Sequence, residues 1–236
     1  MHLATVRLEG RLLGAGQAMS RAVLTISSKN YSSWSLRGWL LARFVGLEFD
    51  EAVVAPDDPE VRAEMLLLSA SIRVPSLQVG PVKVWDTLAI GEYLNELRPQ
   101  AGLLPEDQVA RAHCRAICGE MHSGFANLRS ALPMNLRGFF PGFRIWGRAQ
   151  ADIDRIVAIW RECLEIHGGP FLFGRHRTMA DAMYAPVTTR FLTYDVKLDA
   201  ACAGYCQTIV RMPEMVEWIE AAKKEPIGIE ELEVEF

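Results

Sequence analysis

The chain has 236 residues, half of them hydrophobic and 23% charged, which is the balance of a folded globule and excludes a disordered, collagen-like or low-complexity polymer. Twenty-five Lys and Arg stand against 29 Asp and Glu, a net charge of −4 that gives no compositional case for a nucleic-acid binder. Five cysteines are too few and odd in number for a disulfide scaffold, they sit in apolar stretches that fit a reducing cytoplasm, and no apolar run reaches the roughly 18 residues of a membrane span.

Residues 1–18 (MHLATVRLEGRLLGAGQA) lack the charged start and long apolar block of a signal peptide, and Met19 precedes a cleaner beginning. Residues 1–21 are therefore read as a leader or flexible tail. Ala22–Ser27 is a β-branched, apolar strand. Ser32–Val45 has helical spacing, with serines at its start and Gly46 at its end. Glu48–Val54 reads as a second strand, and residues 56–71 are polar at first and then helical. Val74–Val79 and Val82–Trp85, joined by Gly80–Pro81, read as a β-hairpin. Thr87–Leu97 is a helix stopped by Arg98–Pro99. This β-α-β-α-β-β-α order over 22–98 is that of a thioredoxin-like fold. A linker follows at 99–106, and then only helical periodicity, near 107–130, 145–167, 179–194 and 213–223. The fold class is α/β plus all-α: an α/β domain at 22–98 and an all-helical domain at 107–236.

Three places could carry chemistry. In Asn30–Arg37 (NYSSWSLR) the serines Ser32, Ser33 and Ser35 crowd a helix start, where unpaired N–H groups and the dipole favour an anion or a thiolate. Serines there also serve simply as caps. In Arg73-Val74-Pro75-Ser76 the proline opens a strand, so it belongs at an edge or a bend; a cis bond would free the Val74 backbone for a ligand, and an ordinary trans edge proline fits equally. Asp86 and Thr87 sit where a strand turns into a helix. They can cap it, and they offer a carboxylate and a hydroxyl to an ammonium or carboxylate group.

Taken together, the strand, the Ser-rich helix start, the second βα unit, Val-Pro, the hairpin and Asp86-Thr87-x-Ala89-Ile90 resemble the glutathione-binding N-terminal domain of the glutathione S-transferases. Thr178-Met179-Ala180-Asp181 resembles that family's capping box in its helical domain. The resemblance covers residues 22 to about 222, and its nearest branch is bacterial, serine-type and zeta-like. The zeta pattern S-S-C-S-W-R is here S-S-W-S-L-R at Ser32–Arg37. The resemblance implies that Ser32 bonds and activates the glutathione sulfur, with the neighbouring Ser33 and Ser35 as alternative hydroxyls. Ser33, Trp34, Ser35 and Arg37 would help to hold that end, with Arg73 near the glycine carboxylate. Val74, beside a cis Pro75, would pair with the cysteinyl backbone, and Asp86 and Thr87 would take the γ-glutamyl ammonium and carboxylate. It further implies a cytoplasmic homodimer acting in detoxification, with glutathione as cosubstrate, no metal, no nucleic acid and no membrane. The chemistry would be conjugation to a small electrophile. The alternatives are an isomerase of the maleylacetoacetate type, a peroxidase, or a non-catalytic ligand-binding protein. Two positions depart from the branch. Trp34 replaces its cysteine, which disfavours mixed-disulfide chemistry, and Asp86 stands where Gln or Glu is usual.

The second-substrate pocket would be apolar, from Met121, Phe125, Leu128 and Tyr184 or Phe191, each of which is read equally as plain helix core. Arg129 and Arg137 are read equally as surface charges or as ligands for an acidic substrate. Cys114, Cys118 and His122 recur every four residues on one helix face. One helix rarely supplies a whole metal site, so these and Cys202 and Cys206 are assigned to core or domain-interface packing. Gly124 is read as a site of close helix packing. Thr178 and Asp181 are structural, and loss of their box is expected to impair folding, not chemistry.

Overall fold

The computed structural model describes residues 21–54 and 74–225. The leader, the helix expected within 56–71, Arg73 and the acidic tail lie outside the described residues. Strand β1 (Ala22–Ile26) alternates buried and half-buried positions, with Leu24 and Ile26 wholly inside. It runs parallel to β2 (Phe49–Val53) and antiparallel to β3 (Ser76–Val79), which pairs with β4 (Val82–Trp85), giving the order β2-β1-β3-β4. A parallel pair needs a crossover, and helix α1 (Ser33–Phe44) supplies it. The β3–β4 hairpin turns through Gly80, whose φ of +55° is the left-handed value that favours glycine. Helix α2 (Thr87–Leu97) follows, and a 3-10 turn at Pro99–Ala101 occupies the expected linker.

The helical half contains α3 (Gln108–Ser123), α4 (Ala126–Ala131), α5 (Gly147–His167), α6 (Met179–Thr193), α7 (Ala200–Val210) and α8 (Pro213–Lys223). Two expectations need correction. The helix expected over 107–130 breaks at Gly124–Phe125, where Phe125 is left-handed with φ of 58°. A Cβ on Gly124 would lie 2.7 Å from the Glu120 carbonyl oxygen of its own helix, so this glycine serves the break and not the approach of a neighbour. Helix α7 was not expected. It presents Cys202, Tyr205, Cys206 and Ile209 to the core at helical spacing, but its remaining residues are small or polar, which blurs the periodicity. Asp199 caps it by accepting from the N–H groups of Ala201 and Cys202.

Helix α6 is the axis of this half, buried at every position but Leu192, as befits a helix surrounded by others. The capping box at its start is formed, with Asp181 also accepting from Leu172 N and the Tyr205 hydroxyl. One hydrophobic cluster runs through both halves, from Leu24 and Trp39 to Trp160 and Trp218. Close approach seals the seam: a Cβ on Gly91 of α2 would meet the Met179 side chain of α6 at 2.6 Å.

Candidate active site at the ends of three strands

Register brings distant segments together. Thr25 pairs with Ser76, so Val74–Pro75 lies beside Ser27 and the loop leading to Ser32. Ser76 pairs with Trp85, so Asp86 and Thr87 emerge next to Pro75. The Val74–Pro75 bond is cis. Gly38 of α1 packs directly on this proline, where an added Cβ would lie 2.7 Å from the Pro75 Cβ.

The three serines at the start of α1 differ in environment. Ser32 is the N-cap; its Oγ accepts from Ser35 N (3.3 Å) and donates to Ser35 Oγ (3.0 Å). Ser35 is turned inward, fully buried, with its Oγ accepting from Ser27 N at 3.0 Å and lying 3.3 Å from Ser27 Oγ. In this structure it anchors Ser32 from behind. Ser33 opens the helix, whose first N–H groups have no carbonyl of the helix to reach, and no acidic residue stands in the first turn. An anion here meets a positive helix end without a carboxylate from the helix's own first turn.

Asp86 has φ of 73° and caps α2, with Oδ1 accepting from Leu88 N (2.8 Å) and Ala89 N (3.2 Å). Its Oδ2 lies 3.0 Å from His122 Nε2. Burial raises its carboxyl, but the bonds from His122, Ala89 and Leu88 outweigh this and hold it below its ordinary value. The other imidazole nitrogen of His122 lies 3.4 Å from Thr87 Oγ1, and the ring meets the Trp34 indole edge-on at 5.1 Å. His122, read from its helix face as core or domain-interface packing, lies at that interface, turned to the start of α2. Cys114 and Cys118, from the same face, are buried core, and burial pushes the Cys118 thiol up.

Arg37 faces the seam between the halves. It is wholly buried between the two halves, with Nε donating to Met183 O (2.7 Å) and Nη2 directed at Met121 Sδ (3.2 Å), while Nη1 has no partner. Burial, and then the charges of Arg190 and Arg129, hold its pKa well below the usual value. Arg190 is buried too, donating to the carbonyls of Leu132 and Pro186, and is pushed down to about 10 by burial and by Arg129. Arg37 and Arg129 both lie against the Trp34 ring, at 4.5 and 5.4 Å. Arg137 is directed elsewhere, to the Tyr31 hydroxyl and the Glu225 carbonyl.

The residues named for the apolar pocket take the places of plain helix core, the other reading given for them. Tyr184 is inside the helical core, its hydroxyl on Ile117 O and its ring against Trp160. Phe191 also packs on Trp160, Leu128 is fully buried, Met121 lies beneath the Arg37 guanidinium, and Phe125 forms the α3–α4 break. Around Trp34 stand cations in their place. Arg190 and His122 were not read as site residues, because nothing in a helical pattern distinguishes a buried cation facing a domain seam from one facing water.

Comparison with known proteins agrees with this geometry. The profile described as glutathione S-transferase, N-terminal domain, matches residues 31–97, and that described as glutathione S-transferase, C-terminal domain, matches 108–222. A probable maleylacetoacetate isomerase of Caenorhabditis elegans is 28% identical over 156 residues, 66% of this chain and 72% of that protein. The maleylacetoacetate isomerase of Rattus norvegicus is 27% identical over 179 residues, 75% and 82% of the two chains. Among solved structures, a glutathione transferase homolog from Burkholderia gl BGR1 with bound glutathione superposes with a TM-score of 0.65 at 20% identity, covering 87% of this chain and all of that one. A maleylacetoacetate isomerase from Anaeromyxobacter dehalogenans, with dicarboxyethyl glutathione and citrate in its active site, gives a TM-score of 0.61 at 24% identity over 89% and 94%. With a thioredoxin-like sheet, a helical second half and both profile matches falling where those parts fall, the chain belongs to the glutathione S-transferase family.

Proposed function

We propose that this chain is a glutathione-dependent transferase that uses the start of α1 to ionise the glutathione thiol. The observation that carries the reading is the convergence of Ser32, cis Val74–Pro75 and the Asp86–Thr87 cap at one end of the sheet. A free thiol has a pKa of about 8.5, so little of it is thiolate near neutrality. At the α1 N-terminus the dipole and N–H groups favour the thiolate, and the Ser32 hydroxyl turns from Ser35 Oγ to donate to the sulfur. Ser27 and Ser35 hold the turn in place meanwhile. The Val74 backbone pairs with the cysteinyl unit, and Asp86 accepts from the γ-glutamyl ammonium with the oxygen that its own helix leaves free. The thiolate attacks an electrophilic carbon held close to it.

A second reading, an isomerase of the maleylacetoacetate type, is favoured by the cations around Trp34. Arg190 and Arg129 both lower Arg37, Arg129 also lowers Arg190, and Arg37 keeps an unsatisfied N–H. Such a surround suits an electrophile that carries carboxylates. In that chemistry the thiolate adds to one alkene carbon, the resulting single bond rotates, and expulsion of the thiolate restores the double bond and glutathione. All five cysteines are free and buried, which supports a reducing cytoplasm. Val82 and Trp85 are exposed on the edge strand β4, which supports a homodimer.

The test is a pH titration of thiolate ultraviolet absorbance for glutathione with the protein. In the wild type the bound thiol is expected to fall by about one to two pH units, and Ser32→Ala to lose most of that shift. Binding with an unshifted thiol in both proteins overturns the catalytic reading in favour of a carrier. For the second reading, Arg129→Met is expected to raise KM for carboxylate-bearing electrophiles and leave neutral ones unchanged; equal effects on both exclude it.

A further inference from the structure

The mechanism above uses one charge at the γ-glutamyl end, that of Asp86, yet the α-carbon there bears two, an ammonium and a carboxylate. Among the described residues near Asp86, most cations are committed elsewhere. Arg37 and Arg190 are buried with their guanidinium groups on backbone carbonyls. Arg129 donates to Gly124 O. His122 differs. Its side chain is 28% exposed and adjoins the Asp86 carboxylate, itself 40% exposed.

Resting on the glutathione reading, we propose that His122, as an imidazolium, is the counter-charge for the γ-glutamyl α-carboxylate, a specificity-determining residue lent to the thioredoxin-like half by α3. Asp86 and His122 together would then present one negative and one positive charge side by side, the complement of an α-amino acid zwitterion.

The hydrogen-bond pattern dictates the proton bookkeeping. Asp86 Oδ2 can only accept, so the proton nearest it sits on His122 Nε2. In the neutral ring Nδ1 is then a lone pair, and it takes the Thr87 hydroxyl proton. A carboxylate approaching this edge meets two lone pairs. Protonation at Nδ1 reverses the bond: the ring donates to Thr87 Oγ1, and the hydroxyl proton is released for a ligand oxygen. Binding of the carboxylate therefore draws a proton onto His122. Asp86 faces the imidazole from the start of α2, and Arg37 of α1 and Arg129 of α4 both lie against the Trp34 ring that His122 touches. Glu120, on the same helix as His122, is held by Arg155.

The experiment is calorimetric titration of the full chain with S-methylglutathione, which has no thiol to ionise, in two buffers of different ionisation enthalpy and over a range of pH. The wild type is expected to take up a proton on binding, with affinity weakening as pH rises. It is also expected to prefer S-methylglutathione over the analogue lacking only the γ-glutamyl α-carboxylate by about tenfold, the ratio set by one charge-assisted bond. His122→Gln, whose amide can still donate to Asp86, should bind without proton uptake and lose most of that preference. Uptake and preference retained in His122→Gln overturn the proposal, as does wild-type binding without proton uptake, a result that needs no variant to fold. Failure of the wild type to bind S-methylglutathione at all overturns the glutathione reading itself, and the two failures are thereby told apart.

Discussion

Asp181 takes four hydrogen bonds in a wholly buried setting, from Leu172 N, Thr178 N, Thr178 Oγ1 and the Tyr205 hydroxyl. Burial pushes its carboxyl up to about 6, against the pull of those donors. The folded protein thus holds this proton to higher pH than the unfolded chain, where an aspartate titrates near about 3.9. Between the two values the folded state binds more protons, so this group's contribution is present at low pH and is lost as pH rises through about 6. The loss is on the order of 3 kcal/mol. In Asp181→Asn the side chain no longer titrates, so the gap in urea stability between wild type and variant is expected to narrow as pH rises across that window; parallel curves would show that the carboxyl titrates elsewhere. Thr178-x-x-Asp181 was legible because a capping box is a local pattern of fixed spacing. Arg37 was not. Its place in S-S-W-S-L-R suggested a ligand contact, but the helix turns that position toward α6, and helical phase relative to a distant partner is not written in six residues.

At the scale of elements, the loop between β1 and α1 is held from the far end of the chain. The Glu225 carboxylate, just past α8, accepts from Ser28 Oγ (2.7 Å), Lys29 N (2.6 Å) and Asn30 N (3.1 Å). Trp218 Nε1 donates to Lys29 O, and the Asn30 side chain bonds Asn135. Ser28 O in turn accepts from Ser32 N, so the clamp ends one bond from the proposed sulfur-activating serine. Glu225→Ala strands these donors and is expected to cost about 2 kcal/mol. Amide exchange at Lys29, Asn30 and Ser32 should quicken while α5 stays protected. Unchanged exchange there would mean that water replaces the carboxylate without loss. The strands and most helices that frame this loop were readable from alternation and caps. The clamp was not, because its partners are nearly 200 residues apart and share no motif.

For the whole molecule, the change from mixed α/β patterning to helix-only patterning was legible, and so was the meeting of three short motifs at one end of the sheet. The continuity between the halves was not. The core cluster passes without a break from Leu24 through Met179 to Trp218, and α1 packs on α6 with glycine-close contact of α2 beside it. Trp39 and Trp218, one from each half, lie 5.3 Å apart. The two halves should therefore unfold together. Tryptophan fluorescence and far-ultraviolet circular dichroism are expected to give one coincident urea transition, and a separated early phase would show a seam weaker than its packing suggests.

The Glu225 clamp also has a consequence in time. In synthesis the serine loop precedes its carboxylate anchor, which is made 197 residues after Ser28. At about 5–20 residues per second, that interval is about 10–40 s. The nascent chain can collapse around Leu24 and Ile26 during it, but the turn that presents Ser32 has nothing to close on. The protein is then expected to acquire its thiol-activating geometry only once Glu225 has been made, so that a chain not yet grown to that residue remains inert toward glutathione.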